Sequence, residues 1–358
     1  MEKSKISITI FIAAFTFMLI ETLTNGFLIF KGIHSAVMVC LETMIPSLYA
    51  MMILSELFIS CGFHRKLGRF FNFPARCFFK STGQILVIFL FSQAAGYPIG
   101  ARMLENIRED SKLTKKQASI LSGVCFGGGP AFIAALFAEK KEDAAAVFFA
   151  GLISNFIVFI IISRFIHIEN DAGIHNLSIE GSFAEIITNS AVKSGKALLK
   201  ICAMIIMFGG IFGLLKMPFL MNLLDCKYSG IILSIFEISN ISNLFPYSRA
   251  MLPYIGASLS FGGICVFMQL AAITKGKINI GYIFFIRIIT AIITGALLYF
   301  REIFIPPKTE IVSAVFTAEN MSIDRYAPLP SILLLVMTIM LLINVDKKNA
   351  PNKIDIHI

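Results

Sequence analysis

Long apolar blocks alternate with short polar segments along the whole chain. The blocks lie at residues 6–30, 35–61, 83–101, 118–138, 144–168, 197–220, 229–247, 252–274, 280–300 and 329–345. A helix needs about 20 apolar residues to cross the hydrocarbon core of a bilayer, so each block predicts a transmembrane or re-entrant helix. The pattern therefore predicts an all-α integral membrane protein with about eight to ten such helices.

Composition and charge agree with a membrane location. Hydrophobic residues make up 57% of the 358 residues and charged residues only 15%, whereas a soluble domain carries about 25% charged residues. The net charge of +9 arises from short clusters between the blocks, such as 64–69 and 112–116. Such clusters are typical of cytoplasmic loops rather than of a nucleic-acid groove. We expect a multi-pass protein of the cell membrane, in contact with the lipid bilayer and not with nucleic acid, with its N-terminus in the cytoplasm.

The charge pattern leaves one question of topology open. The segment 102–117 holds five Lys or Arg residues, which predicts a cytoplasmic loop. It falls outside the cell if the block 83–101 crosses the membrane completely. If 83–101 and 118–138 are both re-entrant, the loop remains inside.

The two halves of the chain share an order of features. The triplet at 35–37 (Ser-Ala-Val) recurs at 190–192, and Phe-Gly-Gly at 126–128 recurs at 261–263. In each half an apolar block is followed by two broken blocks. This predicts an N-terminal transmembrane helix (1–31), a first gate-like repeat (32–168), a linker (169–189), a second gate-like repeat (190–303), and a last part with an external loop, a transmembrane helix and a cytoplasmic tail (304–358). Duplicated, interrupted helices indicate a transporter-type binding site near the membrane midplane.

Two interruptions in the first half carry candidate binding residues. Gly96-Tyr97-Pro98 breaks one block, and the glycines 127–129 followed by Pro130 break the next. Irregular backbone at membrane depth is tolerated only where it is buried in protein or lines a cavity. Pro130 suits the first position of a new half-helix, whose free N–H groups favour an anionic or polar ligand. The alternative is a pair of packing kinks.

In the second half, a polar run at 236–243 interrupts an apolar block. Glu237 is its most informative residue, because a carboxyl at membrane depth binds a cation, relays a proton or hydrogen-bonds a substrate. The alternatives are a carboxyl at the interface or one paired with Arg249, and asparagines that only bind neighbouring helices. The predicted substrate-binding residues are Gln93, Gly96, Tyr97, Pro98, Arg102, Gly127, Gly128, Gly129, Pro130, Glu237, Ser239, Asn240, Asn243, Arg249 and Gln269.

Catalytic and metal-binding motifs are missing from the sequence. The five histidines and seven cysteines show no ligand spacing, and neither a nucleophile elbow, a P-loop nor a zinc-protease motif occurs. The sequence thus predicts a protein that is not an enzyme and that needs no metal or cofactor. A small-molecule solute and a coupling ion, H⁺ or Na⁺, are the expected partners.

Several motifs together resemble one known family. They are the run from Gly32-Ile33 through Ile45-Pro46-Ser47-Leu48, the run from Gly96 to Arg102, the run from Phe236 to Asn240, and the stretch from Leu252 to Leu270. These motifs look like those of the sporulation integral membrane protein YlbJ family, whose members carry a nucleoside recognition or gate domain.

The resemblance implies a permease of endospore formers that passes dipicolinic acid toward the forespore, in the membrane around it. Arg102 or Arg249 and the amide side chains would suit such a dicarboxylate. The glycines 127–129 stand where the family pattern has polar residues, which leaves a different solute open. The alternatives are a nucleoside-like solute, or a non-transporting scaffold needed for spore maturation.

Overall fold

The chain folds into a bundle of helices. The computed structural model describes residues 26–108, 113–137, 140–166, 182–215, 229–244 and 247–304, with a few isolated positions between 16 and 24 and at 111. None of these residues forms a β-strand, and five helices are long and apolar enough to cross a membrane. The all-α integral membrane fold predicted from the sequence is thereby confirmed.

Thirteen helices are defined within the described residues. They are α1 (Gly26–Ser60), α2 (Phe63–Phe70), α3 (Asn72–Phe79), α4 (Gly83–Ala95), α5 (Ile99–Ile107), α6 (Lys115–Val124), α7 (Pro130–Leu136), α8 (Lys141–Phe165), α9 (Phe183–Leu215), α10 (Ser229–Phe236), α11 (Leu252–Phe261), α12 (Ile264–Ile273) and α13 (Ile280–Phe304). Short 3₁₀ turns occupy Ile238–Leu244 and Arg249–Met251.

Helices α1 and α9 pack closely against each other in antiparallel directions. The Cys40 thiol donates to the Cys202 carbonyl at 3.8 Å, and the Tyr49 hydroxyl to the Ala191 carbonyl at 3.5 Å. A side chain at Gly32 would collide with the backbone of α9, so glycine is required for this approach. Helix α1 continues without interruption across the predicted boundary at residue 31, with one π-helical turn at Cys40–Met44.

Helices α4 and α5 form a hairpin that returns to the end of the bundle from which it enters. The chain turns at 96–98, and a side chain at Gly100 of α5 would collide with Ser92 of α4. At the start of the hairpin, Gly83 N donates to Asn72 Oδ1 at 2.9 Å. Near the end of the hairpin, Asn106 Nδ2 donates to Glu56 Oε1 at 3.1 Å, close to the end of α1 that leads into α2. The block 83–101 is therefore re-entrant.

Helices α6 and α7 together cross the bundle as one broken helix. Helix α13 starts beside α6, where Asn279 N donates to Ser119 Oγ at 2.9 Å. It ends beside the start of α8, where Arg301 Nη1 lies 3.3 Å from Asp143 Oδ1. Because α7 leads directly into α8, the pair α6–α7 extends over the same length as α13. Of the segment 102–117, the described residues 102–108 and 113–117 thus lie toward the end that carries 62–82, because the first block turns back and the second crosses the bundle.

The described elements of the second half include a hairpin that enters the bundle from the other end. After α9, the segment α10 and the 3₁₀ turn that follows it form a hairpin with Glu237 at its tip, since a Cβ on Gly230 would lie 2.6 Å from Leu244. Helices α11 and α12 cross the bundle and are broken at Gly262 and Gly263, whose φ values of +91° and +84° favour glycine. Helix α13 then returns. The internal duplication remains a prediction, and the predicted helix at 329–345 lies outside the described residues.

Candidate functional site

The helix breaks of both halves meet at the centre of the bundle. A Cβ on Gly96 would lie 2.8 Å from Gly129 N, and one on Gly262 would lie 2.6 Å from the Phe126 ring. The Tyr97 hydroxyl donates to the Leu259 carbonyl at 2.7 Å, joining the α4–α5 hairpin to α11. Tertiary folding therefore brings together interruptions that lie far apart in the sequence.

Arg287 of α13 lies at this meeting point and is 0% exposed. Its Nη1 donates to the Gly123 carbonyl at 3.0 Å and to Asn155 Oδ1 at 2.8 Å, and its Nε donates to the Ser260 carbonyl at 2.8 Å. The guanidinium carbon stands 5.2 Å from the centroid of the Phe126 ring, within cation–π range. One side chain thus links α13 to α6, α8 and α11.

The charge of Arg287 has no carboxylate partner within the part of the chain that the structure describes. All of its hydrogen-bond acceptors are neutral carbonyl, amide and hydroxyl oxygens. A guanidinium remains protonated in proteins, and an unpaired buried charge costs several kcal/mol. An anion placed beside Arg287 would offset this cost.

A narrow cavity lies against the guanidinium. Its polar lining comes from Gln93, Gly127, Gly128, Asn155, Ser260 and Arg287, and apolar side chains of α7, α8 and α11 complete it. The Asn155 amide donates to Gln93 Oε1 at 2.8 Å, so both amides are held in a fixed orientation. The cavity has room for little more than a water molecule.

The glycine-rich breaks of the first half behave as the sequence predicts locally. Helix α7 begins at Pro130 with Gly129 preceding it, so Pro130 occupies the first helical position. Gly127 and Gly128 line the cavity beside Arg287. Gly96, Tyr97 and the adjoining Pro98 form the tip of the α4–α5 hairpin.

The predicted residues of the second half surround a different cavity. Glu237, Ser239 and Asn240 line it together with small residues of α1 and α9. Gln269 lies close by, where its Nε2 is 3.3 Å from the Cys265 Sγ atom. Asn243 belongs to the 3₁₀ turn, and its side chain lies outside the described part of the structure.

The two predicted arginines lie at the two ends of the bundle, away from the central cavity. Arg102 forms an ion pair with Glu56, near the end that carries 62–82. Arg249 Nε lies 3.7 Å from Asp143 Oδ1 and 3.5 Å from Glu302 Oε2 at the opposite end. Arg249 therefore pairs with Asp143 and not with Glu237, and both arginines already face carboxylates.

Tyr247 completes the charged cluster around Asp143. Its hydroxyl donates to Asp143 Oδ2 at 3.0 Å. Burial, followed by the neighbouring Asp143 carboxylate, raises the pKa of Tyr247 above its ordinary value. The phenol consequently stays protonated and serves as a donor at this end of the bundle.

Sequence reasoning missed Arg287, Asn155 and Ser260. A signal for Arg287 was available, because it is the single charged residue between positions 280 and 300 of an apolar helix. A charge at the centre of a membrane helix costs roughly 2.5–3.5 kcal/mol on insertion scales and marks function by default. Asn155 and Ser260 carry no such signal, since single polar residues are common in membrane helices.

Comparisons with known proteins support a distant relation. No family model matches the chain, and no solved structure matches it. The Sporulation integral membrane protein YlbJ of Bacillus subtilis (strain 168) is 26% identical over 133 residues, which are 37% of this chain and 33% of the relative. The match thus spans about a third of the relative's length. It supports a membrane protein related to a sporulation integral membrane protein.

Proposed function

We propose that the protein is a permease, not an enzyme, that moves a small anionic solute across the membrane through the central cavity. The observation that supports this most directly is the buried guanidinium of Arg287. It lies where the helix breaks of both halves meet, and no carboxylate pairs with it in the described part of the chain. A permanent positive charge beside a cavity favours an anion that can enter and leave.

Each residue around the cavity has a role in this proposal. Arg287 attracts the anionic group by its charge and, because all of its N–H groups already donate to Gly123, Asn155 and Ser260, the solute carboxylate forms paired hydrogen bonds by replacing some of these neutral acceptors. Asn155 and Gln93 orient the solute with their amide groups. Phe126 packs against the guanidinium, and the Tyr97 ring centroid lies 5.0 Å from that of Phe126, so the two rings hold Arg287 and the neighbouring helix breaks in place.

Alternating access would follow from the two hairpins. The α4–α5 hairpin enters from one end of the bundle and the hairpin tipped by Glu237 enters from the other. Their tips approach the central breaks from opposite directions. Tilting one hairpin while the other stays in place would open the cavity to one side only, as in transporters built from oppositely oriented halves.

Dipicolinate is the first solute to test. It is a small aromatic dicarboxylate, which matches a guanidinium flanked by aromatic rings, and the relative's name refers to sporulation. The proposal places the protein in the cell membrane and, in a spore former, in the membrane around the forespore.

Uptake of radiolabelled dipicolinate into proteoliposomes tests the proposal. Wild type, Arg287→Gln, Arg164→Gln and empty vesicles are compared at equal amounts of inserted protein. Arg164 is an exposed cation at the end of α8 and serves as the matched control. We expect saturable uptake that Arg287→Gln lowers at least about tenfold, because hydrogen bonds to a charged group contribute roughly 1.5–3 kcal/mol.

Two results would count against it. Uptake equal to that of empty vesicles, with correctly inserted protein, removes dipicolinate as the solute and raises the scaffold alternative. Undiminished uptake by Arg287→Gln removes Arg287 from the binding site.

A further inference from the structure

The carboxyl group of Glu237 is buried without a full set of partners. The side chain is 5% exposed. Its Oε1 accepts a long hydrogen bond of 3.4 Å from Ser239 N, whereas its Oε2 has no hydrogen-bond partner among the described residues. No Lys, Arg or His of the described part forms an ion pair with it.

Within the described residues, the helices that pack against Glu237 present no positively charged group to its carboxyl. The titratable groups that face it are the Cys265 thiol of α12, the Cys40 thiol of α1 and the Tyr97 phenol of the α4–α5 hairpin. Cys40 in turn donates to the Cys202 carbonyl of α9. None of these groups supplies a positive charge, and a thiol is only a weak donor.

The carboxyl faces a cavity that is separate from the one beside Arg287. Its walls are Gly32 and Ala36 of α1 and Gly209 and Gly213 of α9, together with the turn that follows Glu237. No residue lines both cavities. An ionised carboxylate without a counter-charge is costly in such surroundings, whereas a neutral carboxylic acid is tolerated.

We propose that Glu237 is a proton-binding site that couples proton movement to transport of the anion at Arg287. Its carboxylate takes up a proton from water that reaches the side cavity and returns the proton to water on the other side of the membrane. The inference rests on the proposed permease function and adds the coupling ion. Among the described residues no group of three or more His, Cys, Asp or Glu could hold a metal ion, and one carboxylate with few neutral oxygens favours a proton over a metal cation.

The break at Gly262 and Gly263 links the two sites mechanically. Ser260, an acceptor for Arg287, lies just before this break, and Cys265, the neighbour of Glu237, lies just after it. A Cβ on Gly263 would lie 3.1 Å from the Ser234 carbonyl, so the break packs on the hairpin that carries Glu237. A movement of the backbone at this break would therefore change the surroundings of both Arg287 and Glu237.

Infrared spectroscopy of the membrane-embedded protein tests protonation without any solute. The C=O stretch of a protonated carboxyl should be present in wild type and lost in Glu237→Gln. It should persist in Glu142→Gln, which makes the same chemical change at an exposed position of α8. A spectrum that Glu237→Gln leaves unchanged overturns the proposal whatever the solute is.

Driven uptake tests the coupling. With the membrane potential clamped at zero, one proton per solute supports about tenfold accumulation of dipicolinate for each pH unit of gradient. We expect this accumulation in wild type and Glu142→Gln, its loss in Glu237→Gln, and its partial retention in Glu237→Asp, which keeps a protonatable group. The thermal unfolding temperature of purified Glu237→Gln, compared with that of wild type, shows whether the variant is folded.

The outcomes separate the two proposals. Uptake that responds to a sodium gradient, or to neither gradient, overturns proton coupling while leaving the permease intact. Absence of all dipicolinate uptake counts against the proposed solute, and the infrared comparison then decides alone whether Glu237 carries a proton.

Discussion

Arg287 and the arginines at the ends of the bundle are the same residue type in opposite electrostatic settings. Arg102 and Arg249 face carboxylates, so their charges are largely compensated by the protein. Arg287 has only neutral acceptors within the described structure. This difference matters for the proposed permease, because a carboxylate buried beside Arg287 would neutralise the guanidinium and remove the attraction for an anion that the proposal assigns to it.

The substitution Asn155→Asp tests whether a carboxylate beside Arg287 prevents binding of the anion. Asn155 Oδ1 already lies 2.8 Å from Arg287 Nη1, so the substitution places a carboxylate on the guanidinium with little change in shape. We expect anion uptake to fall at least about tenfold, since a permanent internal counter-ion forms hydrogen bonds of roughly 1.5–3 kcal/mol that the solute must replace. The measurement is the initial rate of dipicolinate uptake into proteoliposomes.

Thermal unfolding distinguishes this effect from misfolding. Asn155→Asp should unfold at a temperature no lower than Asn155→Leu, which leaves the Arg287 and Gln93 groups without their partner. If Asn155→Asp transports as well as wild type, Arg287 does not bind the transported anion.

At the scale of elements, glycine decides how closely the long helices approach. The seam between α1 and α9 is built from Gly32, Gly209 and Gly213. Small residues at such a seam let two helix backbones touch, and packing of this kind replaces the hydrophobic effect inside a membrane. The seam also forms the wall of the cavity that Glu237 faces.

Two adjacent glycines provide a matched test of the seam. A side chain at Gly209 would overlap the Ala36 Cβ, whereas one at Gly210 would make an ordinary contact with Ile33 at 3.4 Å. We expect Gly209→Ala to lower the free energy of unfolding by about 1–3 kcal/mol through overpacking. Gly210→Ala should raise it by about 0.5–1 kcal/mol, because alanine is the better helix former.

Denaturant unfolding of the purified protein in detergent measures both values. Equal stability of the two variants would mean that α1 and α9 do not meet along this seam.

At the scale of the whole molecule, the re-entrant hairpin gathers the basic residues at one end. The segments 62–82, 113–117 and 274–279 all lie there, together with Arg108. The basic residues of this end include Arg65, Lys66, Arg69, Arg76, Lys80, Arg108, Lys115, Lys116, Lys275 and Lys277. The positive-inside rule assigns this end to the cytoplasm.

Single cysteines report this topology directly. In a background without the native cysteines, Arg65→Cys and Lys115→Cys should react with a membrane-impermeant thiol reagent from the same side of the membrane. Lys141→Cys, at the start of α8, should react from the other side. Reaction of Lys115→Cys from the side of Lys141→Cys would show that α4 and α5 cross the membrane as one span.

The predictable part of this protein is the part that depends on local chemistry. Apolar blocks of about 20 residues require helices in a bilayer whatever their neighbours are, and glycine and proline weaken a helix wherever they stand. The helical membrane fold, the breaks at 96–98, 127–130 and 262–263, and the buried position of Glu237 could therefore be read from the sequence.

Only the tertiary structure could decide which segments that lie far apart in the sequence are neighbours in space. Hydropathy does not distinguish a hairpin that turns back at Tyr97 from a helix that continues, because both bury the same residues. Nor does it show that Arg287 lies beside Asn155, 132 residues earlier in the chain, while Arg249 lies beside Asp143. Which charged groups pair in a membrane protein depends on which helices pack together. That packing depends on small residues that let two helix backbones approach closely. A pattern of apolar and polar positions contains little information about such contacts.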